Sequence, residues 1–118
     1  MTYVQGFIAA VPAANKEAYM AHAKEASEYF LKWGATRCVE NWGDDVPKGE
    51  LTDFQRSVLA KDDEVIVFSW VEYPDKATCD AASEKMMNDP GMANMQMPFD
   101  GARMIYGGFQ TIFDVGNK

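Results

Sequence analysis

The chain has 118 residues, of which 47% are hydrophobic, and a formal net charge of −7 at pH 7. That is enough apolar material for one domain spanning residues 1–118 and argues against disorder. An acidic balance with Lys and Arg scattered argues against nucleic acid or an anionic membrane surface as a partner, because both bind through neutralised phosphates.

Tyr3 to Val11 reads as a first strand stopped by Pro12. The opening segment has no basic region ahead of its apolar stretch, so no signal peptide is expected. Asn15 is the expected cap of a helix from Lys16 to Trp33, whose Tyr19, Ala23, Ala26, Phe30 and Trp33 form one apolar stripe. Gly34 ends it as a left-handed cap. A second strand is expected from Thr36 to Trp42, followed by a loop from Gly43 to Gly49. Thr52 and Gln55 have the spacing of a capping box, which suggests a short helix over Asp53 to Leu59; an edge strand is the alternative. Val65 to Val71 is the strongest strand signal. Pro74-Asp75 opens a second long helix, with Ala77, Ala81, Ala82 and Met86 expected to face inward, and Asp89-Pro90-Gly91 breaks it. After a Met-rich segment and the turn Pro98 to Gly101, the last strand is expected from Arg103 to Phe113. Gly107-Gly108 marks a bulge or a close approach of backbone, and the tail from Asp114 to Lys118 is expected to be loose.

The order strand, helix, strand, strand, helix, strand is the split βαβ arrangement. It predicts an α+β, ferredoxin-like domain, a four-stranded antiparallel sheet with two helices on one face. Such a sheet should alternate apolar and polar residues. The third strand does not: Val65, Val67, Ser69 and Val71 point one way, and Ile66, Phe68 and Trp70 the other. Two helices cover one face only. The other would be a contiguous apolar patch, and a homodimer through sheet faces would bury it. The alternative is that Thr52 to Leu59 and the Met-rich stretch fold over it.

His22 is the only histidine and is a weak candidate acid or base, since no nucleophile stands beside it in sequence. The cysteines, Cys38 and Cys79, are far apart and match neither a disulfide framework nor a zinc set, so no metal or cofactor is expected and a reducing cytoplasm is the simpler setting. Met86, Met87, Met92, Met95 and Met97 place five thioethers within twelve residues, which suits adaptable packing better than Cu(I). The candidate pocket combines Glu40, Trp42 and Asp44 with Arg56, Trp70, Asp100 and Arg103: aromatic walls with a few convergent charges. The alternative for the arginines is structural pairing with the carboxylates.

The segments Glu40-Asn41-Trp42-Gly43-Asp44-Asp45-Val46-Pro47, Val67-Phe68-Ser69-Trp70, Glu84-Lys85-Met86-Met87-Asn88-Asp89-Pro90, Met97-Pro98-Phe99-Asp100-Gly101 and Arg103-Met104-Ile105-Tyr106-Gly107-Gly108-Phe109 are similar to the YbaA-like bacterial family, a domain of unknown function. The resemblance implies a dimeric α+β barrel. That superfamily includes cofactor-free monooxygenases, lactone isomerases, haem-degrading enzymes and ligand-sensing modules, and fold alone does not choose among them. The expectation is a protein that binds a small organic molecule, with cofactor-independent oxygenation or isomerisation as the leading reactions. The alternative is a non-catalytic dimeric sensor or scaffold, and the sequence leaves open whether the protein is an enzyme.

Overall fold

A computed structural model describes residues 2–116; positions 117 and 118, the end of the tail expected to be loose, lie outside the described residues. Strand β1 is Tyr3–Pro12, helix α1 Lys16–Lys32, β2 Arg37–Trp42, α2 Phe54–Ser57, β3 Glu64–Tyr73, α3 Lys76–Asn88, α4 Pro90–Ala93 and β4 Ile105–Gln110. The sheet order is β2-β3-β1-β4 with every neighbouring pair antiparallel, the ferredoxin-like arrangement. Among the described residues no helix is long and apolar enough to cross a membrane.

The registers decide the two faces. Ala9 pairs with Val67, Phe7 with Ser69 and with Tyr106, and Glu40 with Ser69, so these side chains share the face beneath α1 and α3. The core on that face falls into two clusters. One joins Val71 and Tyr73 to Cys79 and Ala82 of α3, with Phe30 of α1 and Trp33 just after it against them. The other joins Ala9, Val11 and Val67 to Tyr19 of α1, closed by Trp42, Phe99 and Met104. The opposite face is partly covered: Val58, Val46 and Ala60 of the β2–β3 connection pack on Ala10 and Ile66. Phe68, Ile105 and Phe109, on the same face, stay 47%, 42% and 62% exposed.

Local chemistry explains the boundaries. Asn15 stands at the N-cap position of α1, but its side chain makes no cap hydrogen bond. A 3₁₀ turn over Ala13–Asn15 leads into the helix, and the Asn15 amide donates to the Pro98 carbonyl at 2.8 Å, tying down the end of the Met-rich segment. Gly34 follows α1 at φ +110°, and a Cβ there would lie 2.5 Å from Cγ2 of Thr78. The cap of α2 is Asp53, not Thr52. Its carboxylate accepts from Arg56 N at 2.8 Å and from Gly49 N at 3.2 Å, while Gln55 turns away to the Val46 carbonyl. A carboxylate at an N-cap forms charge-assisted bonds that a hydroxyl one residue earlier does not match. In α3 the buried residues are Cys79 and Ala82, and Met86 is half-buried; Ala77 and Ala81 face solvent, so the inward stripe is offset from the alanine pattern. Asp89 ends α3 and also caps α4, accepting from Gly91 N and Met92 N. The last strand ends at Gln110, before Phe113, and it begins later than Arg103 because Asp100 organises a 3₁₀ turn over Gly101–Arg103. Gly108 is a close approach: the Tyr3 ring lies where its Cβ would stand.

Candidate functional site

A cavity of about 690 Å³ opens between the two core clusters. Its floor is the helix-side face of the sheet, with Phe7, Ala9, Cys38, Glu40, Ser69 and Val71. One wall is α1, which brings Tyr19, His22, Ala23 and Phe30. The other wall is the end of α3, with Met86 and Met87, and the Met-rich segment after it, with Met92, Met95 and Met97, continued by Phe99 and Met104. The five clustered methionines of the sequence thus face one space. Flexible thioethers suit a wall that must fit an irregular shape.

Polar groups converge at one end. Glu40 and Ser69 are cross-strand partners, and Ser69 is the buried polar residue of the core, 4% exposed. From α1, Tyr19 Oη donates to Glu40 Oε1 at 2.7 Å. The Glu40 carboxyl is crowded by protein but reached by solvent through the cavity. Crowding pushes its pKa above the ordinary carboxylate value, while the Tyr19 and Ser69 hydroxyls pull the other way. Tyr19 is pushed up, first by burial and then by the neighbouring carboxylate, so its proton stays on the ring oxygen. His22 stands beside the pair, its ring 6.3 Å from Tyr19 and edge-on to Phe99 at 6.1 Å. Its Nδ1 is closed off from solvent without a hydrogen-bond partner, and burial lowers its pKa, favouring the neutral ring. A carboxylate in a largely apolar cavity can accept a proton or hold a ligand's hydrogen-bond donor.

Of the candidate pocket residues and the candidate acid or base singled out in sequence, only Glu40 and His22 line this cavity. Trp42 supports it from behind, 6.4 Å from the Tyr19 ring, with Lys16 Nζ 5.6 Å from its own ring centre. Trp70 is on the opposite face of the sheet, where its indole donates to Glu72 at 2.9 Å. Strand alternation puts it there, one residue from Ser69. Asp44 is exposed in the loop after β2. Arg56 holds the same loop, donating to the carbonyls of Gly49 and Glu50 and pairing with Asp53. Arg103 pairs bidentately with Glu64 at 2.8 and 2.7 Å, and with Asp100 at 2.9 Å. It also donates to the Leu59 carbonyl, whose residue sits at φ +52°. These arginines brace the chain away from the cavity. Tyr19 and Ser69 were missed as polar partners. The signal for Tyr19 was a hydroxyl on an otherwise apolar stripe, and for Ser69 the one polar side chain between Val65 and Val71.

Among the described residues no group of three or more His, Cys, Asp or Glu side chains could hold a metal ion. Cys79 is buried and Cys38 lines the cavity floor; both are free thiols.

The fold resembles the crystal structure of a dimeric ferredoxin-like protein from an uncultured marine organism, at a TM-score of 0.62 and 10% identity, covering 97% of this chain and 98% of that one. The proteins named "Uncharacterized protein YbaA" from Escherichia coli K12 and from Shigella flexneri are each 53% identical over 116 residues, 97% of this chain and 99% of theirs. A family model described as "Protein of unknown function (DUF1428)" matches residues 2–101, and with those relatives it shows that the chain belongs to this family.

Proposed function

We propose that the protein binds a small, mostly apolar organic molecule in the cavity between α1, the sheet and the methionine wall. The observation that carries this reading is the cavity itself: about 690 Å³, lined by aromatic, aliphatic and thioether groups, with the Tyr19–Glu40–Ser69 cluster at one end. Ligand sites commonly have this size and this ratio of apolar wall to polar anchor. If the protein acts on its ligand, proton transfer through Glu40 is the chemistry these groups serve best, which fits an isomerase more directly than an oxygenase.

Titration with the neutral fluorophore N-phenyl-1-naphthylamine tests the reading. We expect saturable, blue-shifted emission at one probe per chain. Ala23→Phe, which places a ring in the cavity from the α1 wall, should weaken binding at least about tenfold while circular dichroism stays unchanged. Equal binding by the two proteins would place the probe elsewhere and overturn the reading.

We propose in addition that two copies pair through the outer sheet face. Phe68, Ile105 and Phe109 form an apolar patch there that the β2–β3 connection leaves largely exposed, touching it through Phe54, whose ring centre lies 6.1 Å from that of Phe68. Soluble monomers rarely leave such a patch wet. The marine ferredoxin-like protein, which has the same fold, is described as dimeric. The cytoplasm remains the simplest compartment for two free thiols in a chain of this kind.

A further inference from the structure

The chemistry around Glu40 narrows what the cavity would hold. Among the described residues, Glu40 is the one carboxylate lining it, and Lys24, exposed on α1, the one lysine or arginine. The ion pairs among the described residues involve Arg37, Arg56, Lys76 and Arg103, and none of them includes Glu40. This carboxylate therefore faces a largely apolar space without an ion-pair partner. The Tyr19 hydroxyl already donates its hydrogen bond to Glu40. What Tyr19 offers a ligand is oxygen lone pairs and a ring whose centre lies 5.7 Å from that of Phe99. A ligand carbonyl or carboxylate would meet electron pairs on electron pairs. A donor head group would be accepted, and a positive one would gain the most, from the carboxylate and from the aromatic rings. The chain's net charge of −7 acts in the same direction at long range.

We propose that the cavity is a site for a hydrophobic ammonium ion: an amine whose apolar body lies against Phe99, Phe30 and the methionine wall, and whose charged head rests on Glu40. The assignment depends on the cavity being a ligand site at all. It also predicts a pH profile. Binding requires the ionised carboxylate, so affinity should fall as pH drops through the raised pKa of Glu40. The other titratable groups facing this space are Tyr19, His22 and Lys24 from α1 and Cys38 from β2. The Tyr19 and Cys38 protons are held by raised pKa values. His22, whose pKa is lowered, would add repulsion once it protonates at acid pH, and Glu40→Gln isolates that contribution.

Calorimetric titration of the full chain with three isosteres decides the matter: 2-(1-naphthyl)ethylamine, 2-(1-naphthyl)ethanol and 1-naphthaleneacetic acid. The amine should bind at least about tenfold more tightly than the alcohol, and the acid most weakly. Glu40→Gln should bring the amine down to the alcohol's affinity. Tyr19→Phe, which keeps the carboxylate and frees its oxygen, should preserve the amine's preference and guards against a misfolded Glu40 variant. Equal affinities for amine and alcohol, or tightest binding of the acid, would overturn the ammonium assignment while leaving the cavity as a ligand site. Failure of all three to bind would overturn both.

Discussion

At the residue scale, the same chemistry serves two purposes in different surroundings. Glu64 and Glu40 are both strand carboxylates, on β3 and β2. Glu64, with a side chain 4% exposed, lies under the Arg103 guanidinium, and those hydrogen bonds hold its pKa down, to about 2 from an ordinary 4.5. Glu40 has hydroxyl partners only, and crowding moves it the other way. A depressed carboxylate pKa adds stability that is fully present above the unfolded value and is lost as pH falls through the folded one. The Glu64 contribution should therefore disappear between about pH 4.5 and pH 2. Glu64→Gln should cost on the order of 1–3 kcal/mol at pH 7, the usual worth of hydrogen bonds to a charged group. The gap between the two proteins in urea unfolding should close across that acid window. A gap that stayed constant down to pH 2 would mean that the ion pair contributes nothing to folding. This pairing was open in the sequence as the alternative for Arg103. The partner was not legible, because Glu64 and Arg103 are 39 residues apart and meet only through the strand order.

Elements were legible to the extent that their signals are local. The six main helices and strands follow from alternation, helical spacing and the breakers Pro12, Gly34 and Pro74, all of which act within a few residues. Caps were less so, because several side chains compete for the same backbone donors. Thr52 and Asp53 both stand before α2, and the charged acceptor wins. Asn15 stands before α1, yet its amide is drawn to the Pro98 carbonyl. Gly34 is the junction where local and tertiary demands coincide: left-handed backbone is required, and Thr78 of α3 leaves no room for a Cβ. Gly34→Ala should lower stability by about 1–3 kcal/mol, combining the strain of a positive φ with the contact on α3. Thermal unfolding of Gly34→Ala beside Gly34→Ala/Thr78→Ser, which removes the facing methyl, separates the two. If the second change recovers nothing, the contact is not the cause.

At the scale of the whole molecule, both faces of the sheet are apolar and each is dealt with differently. One is covered by α1 and α3, with the cavity left between the two core clusters. The other is partly covered by the β2–β3 connection and, in our proposal, completed by a second copy. The covering by the chain itself, posed in sequence as the alternative to pairing, thus accounts for only part of the face. Phe68→Glu/Phe109→Glu should convert a dimer into a monomer in sedimentation at micromolar concentration, since charges replace the rings that would be buried there. A wild-type chain that sediments as a 13.2 kDa particle would sink the pairing.

What the amino-acid order alone determined is the ferredoxin-like succession of elements and the facing of each strand residue, because period-two alternation and helical spacing are properties of neighbours along the chain. It also marked Glu40 and His22 by their chemistry. Tertiary structure alone decided what they meet. Residues 19, 40 and 69 converge because β3 lies beside β2 in one register and α1 crosses above them, and the same geometry sends Trp70 to the far face. Such meetings depend on the strand order and helix placement of the whole chain, which no local window contains.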